Sequence, residues 1–290
     1  MIGQTGHRAR SARPRDDSGR AFARAPDCRV PSASSPAVLA PPAALACFVE
    51  QIRVVEAGPG GDLEVAQLPD GRTTLVYRVL AGGETGDLWV AGPRTHAKFK
   101  HTTDVARAIV VQFKPGGAAP LLGVAASALT DRIVQIDDIW GRAGAELCRE
   151  MLAAARLPDV IGRLTDALAA RAVDILESAS ARLAREAVRL LEGGEARVER
   201  VAAQLGVTAR HLRRVFVESV GIGPKEFART VRLQRAVRTS ATSHDWARIA
   251  ADAGYYDQAH LIGDFRALVG LTPGAFARRA GQPGPVAHAR

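Results

Sequence analysis

Arg210, Arg213 and Arg214 lie in a stretch whose apolar residues Leu212, Val215 and Phe216 recur at helical spacing. On a helix the arginines, with Val217, gather on the face opposite that apolar stripe. A guanidinium bonds bidentately to the O6/N7 edge of guanine and also reaches phosphate. An exposed face of this kind therefore has the chemistry of major-groove reading.

The residues that must position this face occur twice. Val201-Ala202, Gly206, His211-Leu212, Phe216, Gly221, Pro224 and Phe227 return as Ile249-Ala250, Gly254, His260-Leu261, Phe265, Gly270, Pro273 and Phe276. The offset is 48 residues up to the first glycine and 49 after it, so the copies differ by one residue in the turn. Such self-similarity means one supersecondary unit used twice. Each copy reads as a helix, a glycine able to take the left-handed conformation, an N-cap (Thr208 or Asp257) and a second helix. The second copy places Ala259, Ile262 and Gly263 where the first has Arg210, Arg213 and Arg214. Those side chains offer at most methyl contacts to thymine, and Gln258 remains to reach an adenine, so base reading is expected to concentrate in the first copy.

The run Gly254-Tyr255-Tyr256-Asp257-Gln258-Ala259-His260-Leu261, with Phe265 and Gly270-Leu271-Thr272-Pro273, resembles the signature of the AraC-type transcription regulators over about residues 181–282. The resemblance implies two helix-turn-helix units joined by a long helix, here about Pro224 to Arg238. It also implies two recognition helices set in successive major grooves on one face of DNA. The DNA-binding set is then Thr208, Arg210, Arg213, Arg214, Tyr256, Gln258, Ala259, His260, Ile262 and Gly263. The repeat core beneath it is Gly206, Leu212, Phe216, Gly221, Pro224, Ile249, Gly254, Leu261, Phe265, Gly270 and Pro273. Gly263 departs from the pattern, because many members carry arginine there.

The charge distribution supports a nucleic-acid partner. Residues 181–290 hold 18 Lys/Arg against 10 Asp/Glu, whereas residues 1–180 hold 21 against 20. A basic segment of this kind grips phosphate in a salt-sensitive, sequence-independent way. Cys28, Cys47 and Cys148 are spaced for neither a disulfide framework nor a zinc site, which fits a reducing cytoplasm. The longest apolar run, around Pro36 to Val49, is broken by Pro41 and Pro42 and is too short to span a bilayer. The first thirty residues carry seven arginines and no apolar secretory segment, and residues 1–35 are expected to be a disordered tail. Residues 283–290 are expected to form a C-terminal tail.

Between these lies a β-rich region, expected at 36–140. Leu63–Gln67, Thr73–Leu80, Asp87–Ala91 and Ala108–Phe113 are rich in Val, Leu, Thr and aromatics, with Pro69-Asp70-Gly71, Gly82-Gly83, Gly92-Pro93 and Pro115-Gly116-Gly117 as turns. Leu122–Leu129 and Ile136–Trp140 read as short helices or turns, and Ala143–Ala155 and Leu157–Glu177 as a helical connector over 141–180. Leu68-Pro69-Asp70-Gly71, Gly92-Pro93, Phe113-Lys114-Pro115-Gly116-Gly117-Ala118-Ala119-Pro120 and Leu129-Thr130-Asp131 resemble the small cupin-like sensor domain found ahead of AraC-type DNA-binding domains. That resemblance implies a barrel or sandwich whose interior can hold a small effector, and an α+β chain overall.

Catalysis finds little support. His96 and His101 lack the His-x-His and carboxylate partners a cupin enzyme needs, so neither metal nor cofactor is expected. His211 and His260 sit beside the buried stripes, where packing or a phosphate contact suits them better than proton transfer. Gly58-Pro59-Gly60-Gly61 lacks the lysine of a phosphate loop. Ser243-His244-Asp245 is consecutive, its side chains diverge, and it reads as the cap of the helix starting near Trp246. Cys148, beside Leu147 and Met151, reads as a small buried side chain.

The expected function is a sequence-specific, cytoplasmic transcription regulator binding double-stranded promoter or operator DNA. A small-molecule effector would act through the N-terminal domain, and RNA polymerase would be a partner if the protein activates. No membrane partner is expected, and the oligomeric state is left open. Two other classes fit part of the pattern: a DNA-repair or other enzyme carrying an AraC-type domain, which three dispersed cysteines disfavour, and a non-specific architectural DNA binder.

Overall fold

A computed structural model describes residues 37–56, 63–173, 178–195, 197–241, 243 and 245–280. The expected tails at 1–35 and 283–290, Cys28, the Gly58–Gly61 run and His244 lie outside the described residues.

Alternating apolar residues build two antiparallel sheets. The strands are β1 (Ala37–Leu39), β2 (Val49–Glu56), β3 (Leu63–Gln67), β4 (Thr74–Leu80), β5 (Gly86–Ala91), β6 (Lys98–Thr102), β7 (Val105–Phe113) and β8 (Ile133–Gln135). Six of them form one sheet in the order β1-β2-β7-β4-β5-β8, and β3 pairs with β6. Every second residue of the central strands points to the same face. One face buries Ile52, Val54, Leu75, Tyr77, Leu88, Val90, Ile109 and Val111. The other carries a smaller apolar cluster of Val76, Trp89, Ala91 and Val110, together with a buried hydrogen bond from Gln51 Nε2 to Gln112 Oε1 of 2.7 Å.

The helices α1 (Ala118–Leu122), α2 (Ile136–Trp140), α3 (Arg142–Ala153) and α4 (Leu157–Ala172) follow or intervene. Leu121, Leu122, Leu147, Met151, Leu164 and Leu168 bury themselves in the core of the first sheet face. The segment read from sequence as a connector thus packs into the β domain, because α3 lays its apolar face against β5 and α4 lays its own against α1, α3 and the turn at Ala43–Leu45. Cys148 on α3 is half-buried rather than buried, with Sγ 3.9 Å from the Gly86 carbonyl. The apolar run around Pro36–Val49 divides into β1, a 3-10 turn at Ala43–Leu45 and the start of β2. No helix among the described residues is long and apolar enough to cross a membrane.

The C-terminal half is all helix: α5 (Ala179–Glu192), α6 (Val198–Gln204), α7 (Ala209–Val220), α8 (Pro224–Ser240), α9 (Trp246–Ala253), α10 (Gln258–Val269) and α11 (Pro273–Ala280). It holds two cores. Val201, Leu212, Phe216 and Phe227 anchor the first, and Ile249, Leu261, Phe265 and Phe276 the second. The repeat extends to ring geometry: Phe216 and Phe227 lie 5.5 Å apart and their counterparts Phe265 and Phe276 lie 5.7 Å apart. The chain is therefore α+β, an antiparallel β region followed by a helical domain.

Candidate nucleic-acid interface

The helix that carries the three arginines begins where the side chain of Thr208 accepts a hydrogen bond from His211 N at 3.2 Å. It ends at Gly221, whose φ of +91° is the left-handed conformation that closes a helix without a Cβ penalty. In the second unit Asp257 accepts from His260 N at 2.7 Å, and Gly270 closes α10 with φ +75°. The same two devices therefore define both recognition helices. Asp245 likewise caps α9 by accepting from Ala247 N and Arg248 N, and Ser243 Oγ accepts from Asp245 N, as the sequence suggested for that run.

With Leu212, Val215 and Phe216 buried, α7 leaves Arg210, Arg213 and Arg214 exposed together. Arg213 is drawn toward Glu199 of α6, and Arg214 lies within 3.3 Å of His211 Nδ1. In the second unit Gln258, Ala259, His260 and Gly263 are exposed and Ile262 is half-buried. His260 sets its ring edge-on to Tyr255 at 5.2 Å. Tyr256, just before the N-cap of α10, is 93% exposed, a large ring offered to solvent beside the recognition helix. The two faces thus differ as their sequences do: one carries three arginines, the other small neutral side chains with the exposed Arg266, counterpart of Val217, near its C-terminal end.

A further group holds α10 in place and was not read from the sequence. Asp264 is buried, and its Oδ1 accepts from Arg229 Nε at 3.2 Å and Nη2 at 2.8 Å, while Arg232 Nη2 lies 3.8 Å from Oδ2. The hydrogen bonds to Asp264 raise the pKa of Arg229, and burial raises that of Tyr255 beside the group. Arg229 and Arg232 stand three apart on α8, so the long helix grips the second recognition helix through one carboxylate. The sequence signal was a lone acid inside a recognition helix whose other charged residue is Arg266.

The β domain also touches this half. Gln234 Nε2 donates to the Pro69 carbonyl at 2.8 Å, and Arg72 Nη2 lies 3.8 Å from Glu192 Oε1. Leu68, Ala97 and Phe99 pack against the second helical core, where the Arg279 guanidinium sits 4.3 Å from the centre of the Phe99 ring. None of these contacts covers Arg210, Arg213, Arg214 or Gln258, which remain exposed.

Between β1–β2 and α4 lies an open cavity of about 470 Å³ lined by Leu39, Pro42, Ile52, Leu157, Ile161 and Gly162 among others. Thr165 at its edge has its hydroxyl bonded to the Ile161 and Gly162 carbonyls of its own helix, so the lining presents apolar surface. Among the described residues no group of three or more His, Cys, Asp or Glu is placed to hold a metal ion.

Residues 201–279 match a family model described as a helix-turn-helix domain, and residues 37–135 match one described as a domain of unknown function (DUF6597). No curated protein matches the chain. Among solved structures, the chain is similar to the C-terminal domain of AraT, a response regulator from Geobacillus stearothermophilus, with 22% identity, a TM-score of 0.33, and coverage of 35% of this chain and 88% of that one. It is also similar to ToxT from Vibrio cholerae O395, with 10% identity, a TM-score of 0.40, and coverage of 80% of this chain and 97% of that one.

Proposed function

Residues 201–279 being a helix-turn-helix domain of the AraC type, we propose that this chain is a transcription regulator that reads an asymmetric DNA site and is modulated through its β domain. The observation that carries this reading is the exposed face of α7. Arg210, Arg213 and Arg214 project together from a helix whose other side is fully packed, and the repeat supplies a second helix of the same build. Guanidinium groups in the major groove give base preference, and the surplus basic charge of residues 181–290 adds phosphate attraction. A DNA partner implies a cytoplasmic setting.

The α10 face contributes Gln258, Tyr256 and small apolar side chains. Its half-site is accordingly the more degenerate one. Modulation is assigned to the β domain because that domain contacts the DNA-binding half directly and carries an apolar cavity of ligand size. An effector there acts only through differential binding to two states of the chain, and the lining selects a small apolar molecule.

Selection of bound duplexes from a random pool with the full chain tests the reading. One enriched motif, better defined in one half than the other, with affinity falling steeply as salt rises, is the expected result. Binding without enrichment of any sequence would make the chain an architectural binder instead.

A further inference from the structure

We propose that the β domain fixes the spacing of the two half-sites, by tying the C-terminal ends of both recognition helices to one short loop. This rests on the DNA-reading role given above for α7 and α10. The last carbonyls of a helix have no partner within it and are open to donors from elsewhere. The β domain supplies one such donor to each recognition helix. Thr130 Oγ1 donates to the carbonyl of Gly221, the C-cap of α7, at 2.6 Å. Ala97 N donates to the carbonyl of Leu268, in the last turn of α10, at 2.7 Å.

The loop joining β5 to β6 touches both ends. At one end of this segment, a Cβ built on Gly221 would lie 2.8 Å from Pro93 Cγ, so the loop abuts the C-cap of α7 closely. At the other, Ala97 bonds to α10. Residues 92–97 span roughly 20 Å at most when fully extended, which bounds the separation of the two helix ends. The loop is itself held rigidly. Asp131 accepts from Thr95 N at 2.9 Å and from Thr95 Oγ1 at 2.5 Å, its own N donates to the Pro93 carbonyl at 2.9 Å, and Gly92 N donates to the Arg132 carbonyl at 3.0 Å.

Within the helical half the two units are joined through α8, and a single shaft leaves rotation about its own axis to side-chain packing. A strut across both far ends removes that rotation. Because it seats on the C-terminal ends, it leaves the arginines of α7 and Gln258 of α10 exposed. Spacing, as distinct from base preference, is thus assigned to Thr130, Pro93, Ala97 and Phe99 of the β domain.

The test compares the full chain with Thr130→Val/Ala97→Pro, which removes one donor from each recognition-helix end while leaving the reading faces intact, in selections from a pool of random duplexes. For the unaltered chain one spacing between half-sites should dominate. For the variant the half-site sequences should persist while the preference for that spacing over its neighbours falls about tenfold, the scale of one or two lost hydrogen bonds with their packing. An unchanged spacing distribution from a variant with a native circular-dichroism spectrum and cooperative melting overturns the proposal, as does an unaltered chain that accepts many spacings equally. If the double variant does not fold, Thr130→Val alone, which removes the hydroxyl donated to the end of α7, decides by the same criterion. Failure of both proteins to enrich any sequence would overturn the DNA-reading role and this proposal with it, whereas intact half-sites with unaltered spacing would overturn this proposal alone.

Discussion

Glu199 Oε1 lies 2.6 Å from Nη2 of Arg213, so the first helix of the leading unit holds one of the three arginines that its second helix presents. Both side chains are more than half exposed, so the pair adds little to folding stability. On the proposed reading its effect falls on recognition, because DNA would have to take Arg213 from a carboxylate before using it.

Glu199→Gln should therefore raise affinity for the preferred site by roughly twofold to fivefold at low salt, with a steeper salt dependence as one more cation meets phosphate or base. Arg213→Ala should act oppositely, costing about 1 to 3 kcal/mol and relaxing preference at one or two base pairs. Fluorescence-anisotropy titrations on specific and random duplexes check both. Equal losses on the two duplexes for Arg213→Ala would mean that this side chain meets only phosphate.

Gly263 offers a gain-of-function test. A Cβ built there meets nothing within 4 Å, so a side chain fits without displacing its neighbours. Gly263→Arg should create a guanine preference in the second half-site, read by selection from a random pool. Gly263→Ala should instead raise stability by about 1 kcal/mol with no new preference, since glycine inside a helix is that much worse than alanine.

Asp264→Ala should destabilise the chain by about 3 to 5 kcal/mol, because it leaves Arg229 and Arg232 against a buried site with no carboxylate. The loss should appear in chemical denaturation and in weakened protection of α10 amides from hydrogen exchange. Preference in the first half-site should survive.

Arg94, in the loop between β5 and β6, is 4% exposed, and neither of its Nη atoms has a hydrogen-bond partner among the described residues. Burial lowers its pKa from the ordinary arginine value, which marks the charged form as disfavoured there. Arg94→Met keeps the side-chain length and removes the charge, so it should raise the melting temperature, by an amount corresponding to about 1 to 4 kcal/mol. A lower melting temperature would show the guanidinium to be satisfied by a partner.

The helical half was the more legible one. Thr208, Asp257, Gly221 and Gly270 announce helix boundaries by their residue types, and the buried stripe from Leu212 to Phe216 follows directly from a period of 3.6. The long helix was read to Arg238 and continues to Ser240. Among strands, Leu63–Gln67 was read with its observed limits and Ala108–Phe113 began three residues late, at the end where Arg107 interrupts the apolar run. Strand β2 went unread because its Val-Glu-Gln-Ile-Arg-Val-Val-Glu sequence mixes charge into a strand that is buried on one side and polar on the other. Contacts between the halves were not legible at all. Several run through the carbonyls of Gly221, Leu268 and Pro69 and the N–H of Ala97, backbone groups that residue type does not announce. The motifs Leu68–Gly71, Gly92-Pro93 and Leu129–Asp131, read as marks of a sensor domain, all lie at this seam.

Gly71 has φ +66°, and a Cβ there would come within 2.6 Å of the ring of Phe227, a buried residue of the first helical core. At this point the β domain and the DNA-binding half therefore meet with backbone pressed on an aromatic ring, beside the side-chain contacts of Gln234 with Pro69 and of Arg72 with Glu192. Transplanting either half onto another regulator would bring together surfaces that have not been fitted to each other. Chimeras built from this chain should succeed only when the junction carries along the turn at 68–72 and the helix bearing Phe227 as a matched pair.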